Sequence, residues 1–141
     1  MGELSRFGVS VDEDLLVSFD ELIATQGYEN RSEALRDLMR TSLIKSKLES
    51  HPESEAIGSL TLVYDHNAGS LLGEMASIQH DFHSLIISVM HLHVSHEDCL
   101  EILAIRGRVA TIVELSNSLL SLKGIKNGKL FLTLPSSAIA N

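Results

Sequence analysis

Between Leu4 and Val11 the chain alternates, with Phe7, Val9 and Val11 on one side and Arg6, Gly8 and Ser10 on the other, which is the period of a strand with one apolar face. At Asp12 the period changes. Leu15, Leu16, Phe19, Leu22 and Ile23 recur at helical spacing behind Asp12 as N-cap and its acidic followers, and Gly27 ends the run. A second helix is predicted from Asn30, whose side chain caps while Glu33 reaches back in a capping box, with Ala34, Leu35, Leu38, Met39 and Leu43 as its stripe. A strand and two helices in about 45 residues cannot bury enough apolar surface alone, and a single strand leaves its backbone groups unpaired. An obligate dimer, in which two such strands pair as a ribbon, meets both needs.

Leu48 to Glu55 is polar and includes His51-Pro52, so the expected organisation is a domain over 1–48, a linker over 49–55 and a second domain over 56–141. In the second domain Ile57 to Tyr64 alternates as a strand, Asn67-Ala68-Gly69 turns, and a helix follows from Ser70 to Ser84. Ile86 to Val94 and Cys99 to Arg106 are strands across a hairpin turn, Ser95-His96-Glu97-Asp98. Arg108 to Leu122 is helical, Gly124 ends it, and Lys129 to Leu134 is a last strand. The order β-α-β-β-α-β predicts an α+β chain whose second domain is ferredoxin-like. Helices cover one face of such a sheet, and the other face needs a partner or a ligand.

Composition narrows the function. At 141 residues, 44% hydrophobic and 21% charged, the chain is an ordinary folding sequence. Aromatic residues are 4% with no Trp, so no stacking platform for single-stranded nucleic acid is available. The one cysteine, Cys99, excludes an internal disulfide and fits a reducing compartment, and neither a signal peptide nor a spanning segment is evident. A cytoplasmic protein without membrane contact is expected. The net charge of −8 argues by itself against nucleic acid, and no Ser/His/Asp set, P-loop or dinucleotide glycine motif suggests an enzyme.

The strongest local signal is histidine. All seven lie between His51 and His96, and five of them, His80, His83, His91, His93 and His96, fall within residues 80–96. His91 and His93 are two apart on a strand and leave the same face; with the turn at His96, Cys99 comes opposite His93 at a cross-strand distance of about 4.5–5.5 Å. Two imidazoles and a thiolate then converge, and His80 is near enough in sequence to complete a set. A fourth ligand from the same chain is not guaranteed by this geometry and can come from a second subunit. Such an N₃S set suits Zn(II) if tetrahedral and Ni(II) or Cu(II) if planar. Glu97, Glu101 and Asp81 read as turn residues or as hydrogen-bond acceptors behind the ligands.

The segment from Gly27 to Asp37, preceded by the Arg6 to Val11 strand, resembles a ribbon-helix-helix DNA-binding domain. Joined to Gln79-His80, His91-Leu92-His93 and His96 to Glu101, it resembles the nickel-responsive transcriptional regulators, the NikR family, over nearly the whole chain. The resemblance implies a homotetramer, a dimer of dimers with ribbon-helix-helix pairs flanking a core of ferredoxin-like (ACT-type) domains. It implies square-planar Ni(II) held by His91, His93 and Cys99 of one subunit with His80 of another, and a repressor of nickel uptake genes that binds a palindromic double-stranded operator. It also implies that Arg6, Gly8 and Ser10 face the major groove, and that Asn30 and Arg31 hold a phosphate at the second helix's N-terminus.

Gly8 departs from the pattern, since that position usually carries a side chain, and the Asn67-Ala68-Gly69 turn lacks the basic residues some members place there. Glu33 and Asp37 match positions that help hold a second cation in some members. Tyr64 and His66 match positions near the nickel site, where the resemblance implies that His66, and His83 likewise, stands behind the ligands or takes the metal in transit. A different reading is a metal-buffering or small-ligand ACT-type protein whose N-terminal unit only oligomerises; substituting Arg6 separates the two.

Overall fold

The computed structural model describes residues 2–139 and divides the chain into two compact units, Met1–Thr41 and Ser42–Asn141. In the first, residues 2–12 carry no regular secondary structure and are exposed. The strand predicted over Leu4 to Val11 is therefore absent from the single chain, for the reason its pattern gives: a lone strand has no ladder partner. Asp12 is the N-cap of α1 (Glu13–Thr25) with extended backbone, but its side chain makes no capping hydrogen bond. Gly27, at φ +85°, supplies the left-handed turn after the helix.

Helix α2 (Arg31–Ser50) is capped as predicted at one end of the box, the Glu33 N–H donating to Asn30 Oδ1 at 3.0 Å. The other half shifts by one residue: Glu33 Oε2 accepts from the backbone N–H of Glu29 at 3.4 Å. The helix also continues to Ser50 where a linker was expected, because Ile44 and Leu48 pack on the second unit's core. Between it and the next strand only residues 51–54 remain.

The second unit runs β1 (Glu55–Tyr64), α3 (Leu71–Asp81), β2 (Ile86–His93), β3 (Cys99–Arg108), α4 (Val109–Leu120), β4 (Ile125–Thr133) and a short α5 (Ser136–Ile139). The sheet is antiparallel with order β2-β3-β1-β4, the ferredoxin-like βαββαβ arrangement expected. Alternate residues of β1 and β3, including Leu60, Leu62, Tyr64, Leu103 and Ile105, bury against Leu71, Met75, Ile112, Leu115 and Leu119 of α3 and α4. Strand β4 starts four residues earlier than predicted. Its Lys126, Asn127 and Gly128 are poor strand formers, yet β1 offers them a ladder, with Gly128 opposite Leu62. A Cβ at Gly128 would lie 2.4 Å from Leu120 and 2.8 Å from the Thr61 carbonyl, so only glycine fits.

Candidate metal centre

Three local features build the site. The 95–98 turn closes the hairpin: the Val94 N–H donates to the Asp98 carbonyl at 2.9 Å, and Ser95 Oγ accepts from the Glu97 and Asp98 N–H groups. Lys126 ties Asp98 from β4 at 2.6 Å. This register sets His93 opposite Cys99, as the spacing predicted, and also His91 opposite Glu101. Because paired residues share a face, both histidines stand on the helix-covered side with buried Cys99 and Glu101.

The donors then divide into two groups. His93 Nδ1 lies 3.5 Å from Cys99 Sγ, and His66, in the loop after β1, packs edge-on against His93 with ring centroids 5.6 Å apart. Ligand atoms of His66, His93 and Cys99 all lie within 4.8 Å of one another. His66 Nδ1 is buried without a hydrogen-bond partner among the described residues. Burying an imidazole nitrogen unpaired is unfavourable, so this atom is one a bound ion would satisfy. Soft and borderline N and S donors that can deprotonate, one of them orphaned, fit a transition-metal ion.

His91 belongs to a second group. Its Nδ1 is 3.0 Å from Tyr64 Oη and 3.5 Å from Glu101 Oε1, while Gln79 Nε2 of α3 donates to Glu101 Oε2 at 2.7 Å. A carboxylate on one ring nitrogen favours a proton there and leaves Nε2 with its lone pair free, the usual support for a metal-bound histidine. Burial, and after it the Glu101 and Cys99 charges, push the Tyr64 phenol up to about 12, so it remains a neutral O–H at ordinary pH. The chain Gln79–Glu101–His91–Tyr64 fixes the ring from both α3 and β1. Its sequence signal was slight, since Gln79 and Tyr64 are chemically ordinary residues.

The remaining candidates are not among these donors. His80 is exposed on the last turn of α3, its ring stacked on His83 at 5.9 Å, and His83 Nδ1 meets the His80 carbonyl at 2.9 Å. Arg6, Gly8 and Ser10 lie in the exposed segment 2–12, where Gly8 has open space around it. Asn30 is occupied as a cap, and Arg31 makes two hydrogen bonds to Asp20 at 2.8 and 2.7 Å, which hold the Asp20 carboxyl below its ordinary range. Glu33 and Asp37 are drawn to different partners, since Asp37 accepts from the Tyr28 hydroxyl at 2.6 Å and from Arg40 at 3.1 Å.

Fold and donors together define a chain with an N-terminal helical unit and a ferredoxin-like unit bearing an N/S metal site. Comparison with known proteins gives the particular family. A family model described as a ribbon-helix-helix protein of the copG family matches residues 5–46, and one described as the NikR C terminal nickel binding domain matches residues 57–133. A protein of Solibacter usitatus with nickel-responsive regulator in its name is 50% identical over 94% of this chain and 95% of its own length. One of Trichlorobacter lovleyi, similarly named, is 45% identical over the same shares. An uncharacterized protein from Thermotoga maritima shares the fold at a TM-score of 0.51 and 20% identity, covering 56% of this chain and 98% of that one. The chain belongs to the nickel-responsive regulator family, which unites a ribbon-helix-helix DNA-binding domain with a nickel-binding domain. It is a transcription regulator and not an enzyme. Among the described residues no helix is long and apolar enough to cross a membrane.

Proposed function

We propose that this protein is a cytoplasmic nickel-activated repressor of nickel-uptake genes, working as a homotetramer built from two ribbon-helix-helix dimers on a palindromic operator. The observation that carries the metal side is the hairpin register, which sets His93 against Cys99 and backs His91 with Glu101 beside it. His91, His93 and Cys99 would hold Ni(II), with His80 of the partner subunit as the fourth donor. Bound there, nickel would supply a positive charge shared by donors of two subunits. A thiolate and three imidazoles form a strong field suited to planar Ni(II), though Cu(II) should bind at least as tightly by the Irving–Williams order. An exposed His80 on α3 is free to reach another copy.

Assembly is supported by surface that the single chain leaves uncovered. In the first unit Phe7, Val9 and Val11 are all exposed, as the ribbon partner would require. In the second unit Met90 and Leu92 of β2 and Phe131 of β4 stand exposed on the sheet face opposite the helices. Arg6 and Ser10 then read base edges from the ribbon face that Gly8 shares without a side chain, with backbone N–H groups at the start of α2, near Asn30 and Arg31, on a phosphate. A ligand site drawn from two subunits favours one quaternary arrangement, and two tethered ribbons gain from effective concentration when that arrangement matches the half-sites.

Mobility shift on the protein's own upstream region and on transporter promoters, at fixed salt, tests this. A shift far stronger with stoichiometric Ni(II) and lost in Arg6→Ala is expected. A metal-independent result, or no shift with any metal, would move the reading to metal buffering with an N-terminal unit that only assembles.

A further inference from the structure

Lys126 does not fit the ladder it stands in. β1 pairs with β4 in the register Val63 to Asn127 and Tyr64 to Ile125, so Lys126 is the extra residue of a bulge. A bulge leaves one residue unpaired and re-aims its side chain. Tyr64, at the end of β1, stands opposite Ile125 on one side and Cys99 on the other. Lys126 and Asp98, the neighbours of those two residues, therefore lie at the same end of the sheet, two strand spacings or about 9–10 Å apart. A long side chain is needed to close that gap, and Lys126 Nζ reaches Asp98 Oδ1 at 2.6 Å. Asp98 in turn closes the hairpin through its backbone, its carbonyl accepting from the Val94 N–H at 2.9 Å and the Ser95 N–H at 3.2 Å. It directly precedes Cys99, so the residue fixed from β4 is the one that sets where the thiol-bearing strand begins. Asn67 Nδ2, donating to the His96 carbonyl at 3.5 Å, braces the same turn from the loop after β1.

We infer that Lys126 is a positioning residue for the metal centre, clamping the 95–98 turn from β4 so that His93 and Cys99 are held facing one another before an ion arrives. Among the described residues its side chain hydrogen-bonds only to Asp98, so it acts through that residue and donates nothing to a metal. Its charge alone works in the opposite direction, since a cation beside the site repels a divalent ion. Clamping and repulsion therefore give opposite signs when Lys126 is replaced. The pair is partly exposed, 43% at Lys126 and 38% at Asp98, which limits the clamp to a few-fold effect. This rests on the reading above, in which His91, His93 and Cys99 hold the ion, and adds a residue outside that set on which their affinity depends.

The test compares full-length wild type with Lys126→Gln, Asp98→Asn, the double variant and Lys126→Arg, using chelator competition for Ni(II) affinity and amide exchange of the metal-free protein. Lys126→Gln should weaken Ni(II) binding by about 3- to 5-fold, the range an exposed ion pair can supply. Asp98→Asn, which also removes a negative charge, should weaken it at least as much, and the double variant no more than Asp98→Asn alone. Lys126→Arg, keeping both charge and reach, should restore wild-type affinity. In Lys126→Gln the Val94 and Ser95 amides should exchange faster, because the turn they close has lost its anchor. A Ni(II) affinity that rises or stays unchanged in Lys126→Gln, losses that multiply in the double variant, or unaltered exchange at Val94 and Ser95 would overturn the inference and leave the ligand reading standing. His93→Gln checks that reading separately: unchanged Ni(II) binding there would sink the ligand set, and the clamp with it.

Discussion

The two units of this chain solve the burial problem differently. The ferredoxin-like unit closes a core of its own around Leu60, Leu62, Leu103, Ile112 and Leu119, all fully buried. Among the described residues the N-terminal unit buries only the apolar Ile23 and Ala34, and leaves Leu4 at 93% and Phe7 at 65% exposed. Its helices carry apolar stripes, α2 is capped by Asn30 and Gly27 turns the chain after α1, so the shortfall is not poor sequence design. It is the mark of a unit whose second half is another chain. The unit that reads DNA is thus incomplete alone, whereas the unit that binds metal already assembles three donors.

Core truncation should expose that difference most sharply. Leu62→Ala removes a buried side chain that packs within one chain, and should cost about 2–5 kcal/mol at any protein concentration. Phe7→Ala removes a side chain with no intrachain cover, so its effect should grow on dilution, read by analytical ultracentrifugation and concentration-dependent melting. Equal, concentration-independent losses would erase the contrast. Asn30→Ala, which deletes the side-chain cap on the Glu33 N–H at the start of α2, should cost about 1 kcal/mol in chemical denaturation. A negligible change would mean that the Glu33 contact to the Glu29 N–H suffices.

A last effect, confined to alkaline pH, belongs to the metal unit. Tyr64 holds its proton up to about 12, whereas an unfolded tyrosine ionises near about 10. Between those values the unfolded chain binds fewer protons, so stability falls as pH rises through that window. Ultraviolet titration should show a late phenol step that Tyr64→Phe removes; Tyr28, whose hydrogen bond to Asp37 also raises it, accounts for the other. A single step at the ordinary value would contradict the Tyr64–His91–Glu101 arrangement.

Much of this was legible from spacing. The pairing of His93 with Cys99 follows from period-two strands and a four-residue turn, and local physics alone sets it. The ferredoxin-like order was legible for the same reason, each element announcing itself by period and punctuation. What escaped the sequence depends on distant neighbours. Ile44 and Leu48 prolong α2 because a core lies beneath them, and Gly128 joins β4 because β1 runs alongside. The exchange of His66 for His91 in the convergent set has a similar origin: it turns on where β1 ends and on Tyr64 and Glu101 claiming His91. The ribbon strand, finally, cannot form in any single chain.

The central claim is that the two units are coupled, so that metal at the hairpin site and operator at the ribbon favour one arrangement. Linkage makes this directly measurable, because each ligand must raise the affinity for the other by the same factor. Ni(II) titrations of the full-length protein, with and without saturating operator duplex at fixed salt, should give a nickel affinity enhanced by the factor through which nickel enhances operator binding. A nickel affinity indifferent to operator would contradict the account.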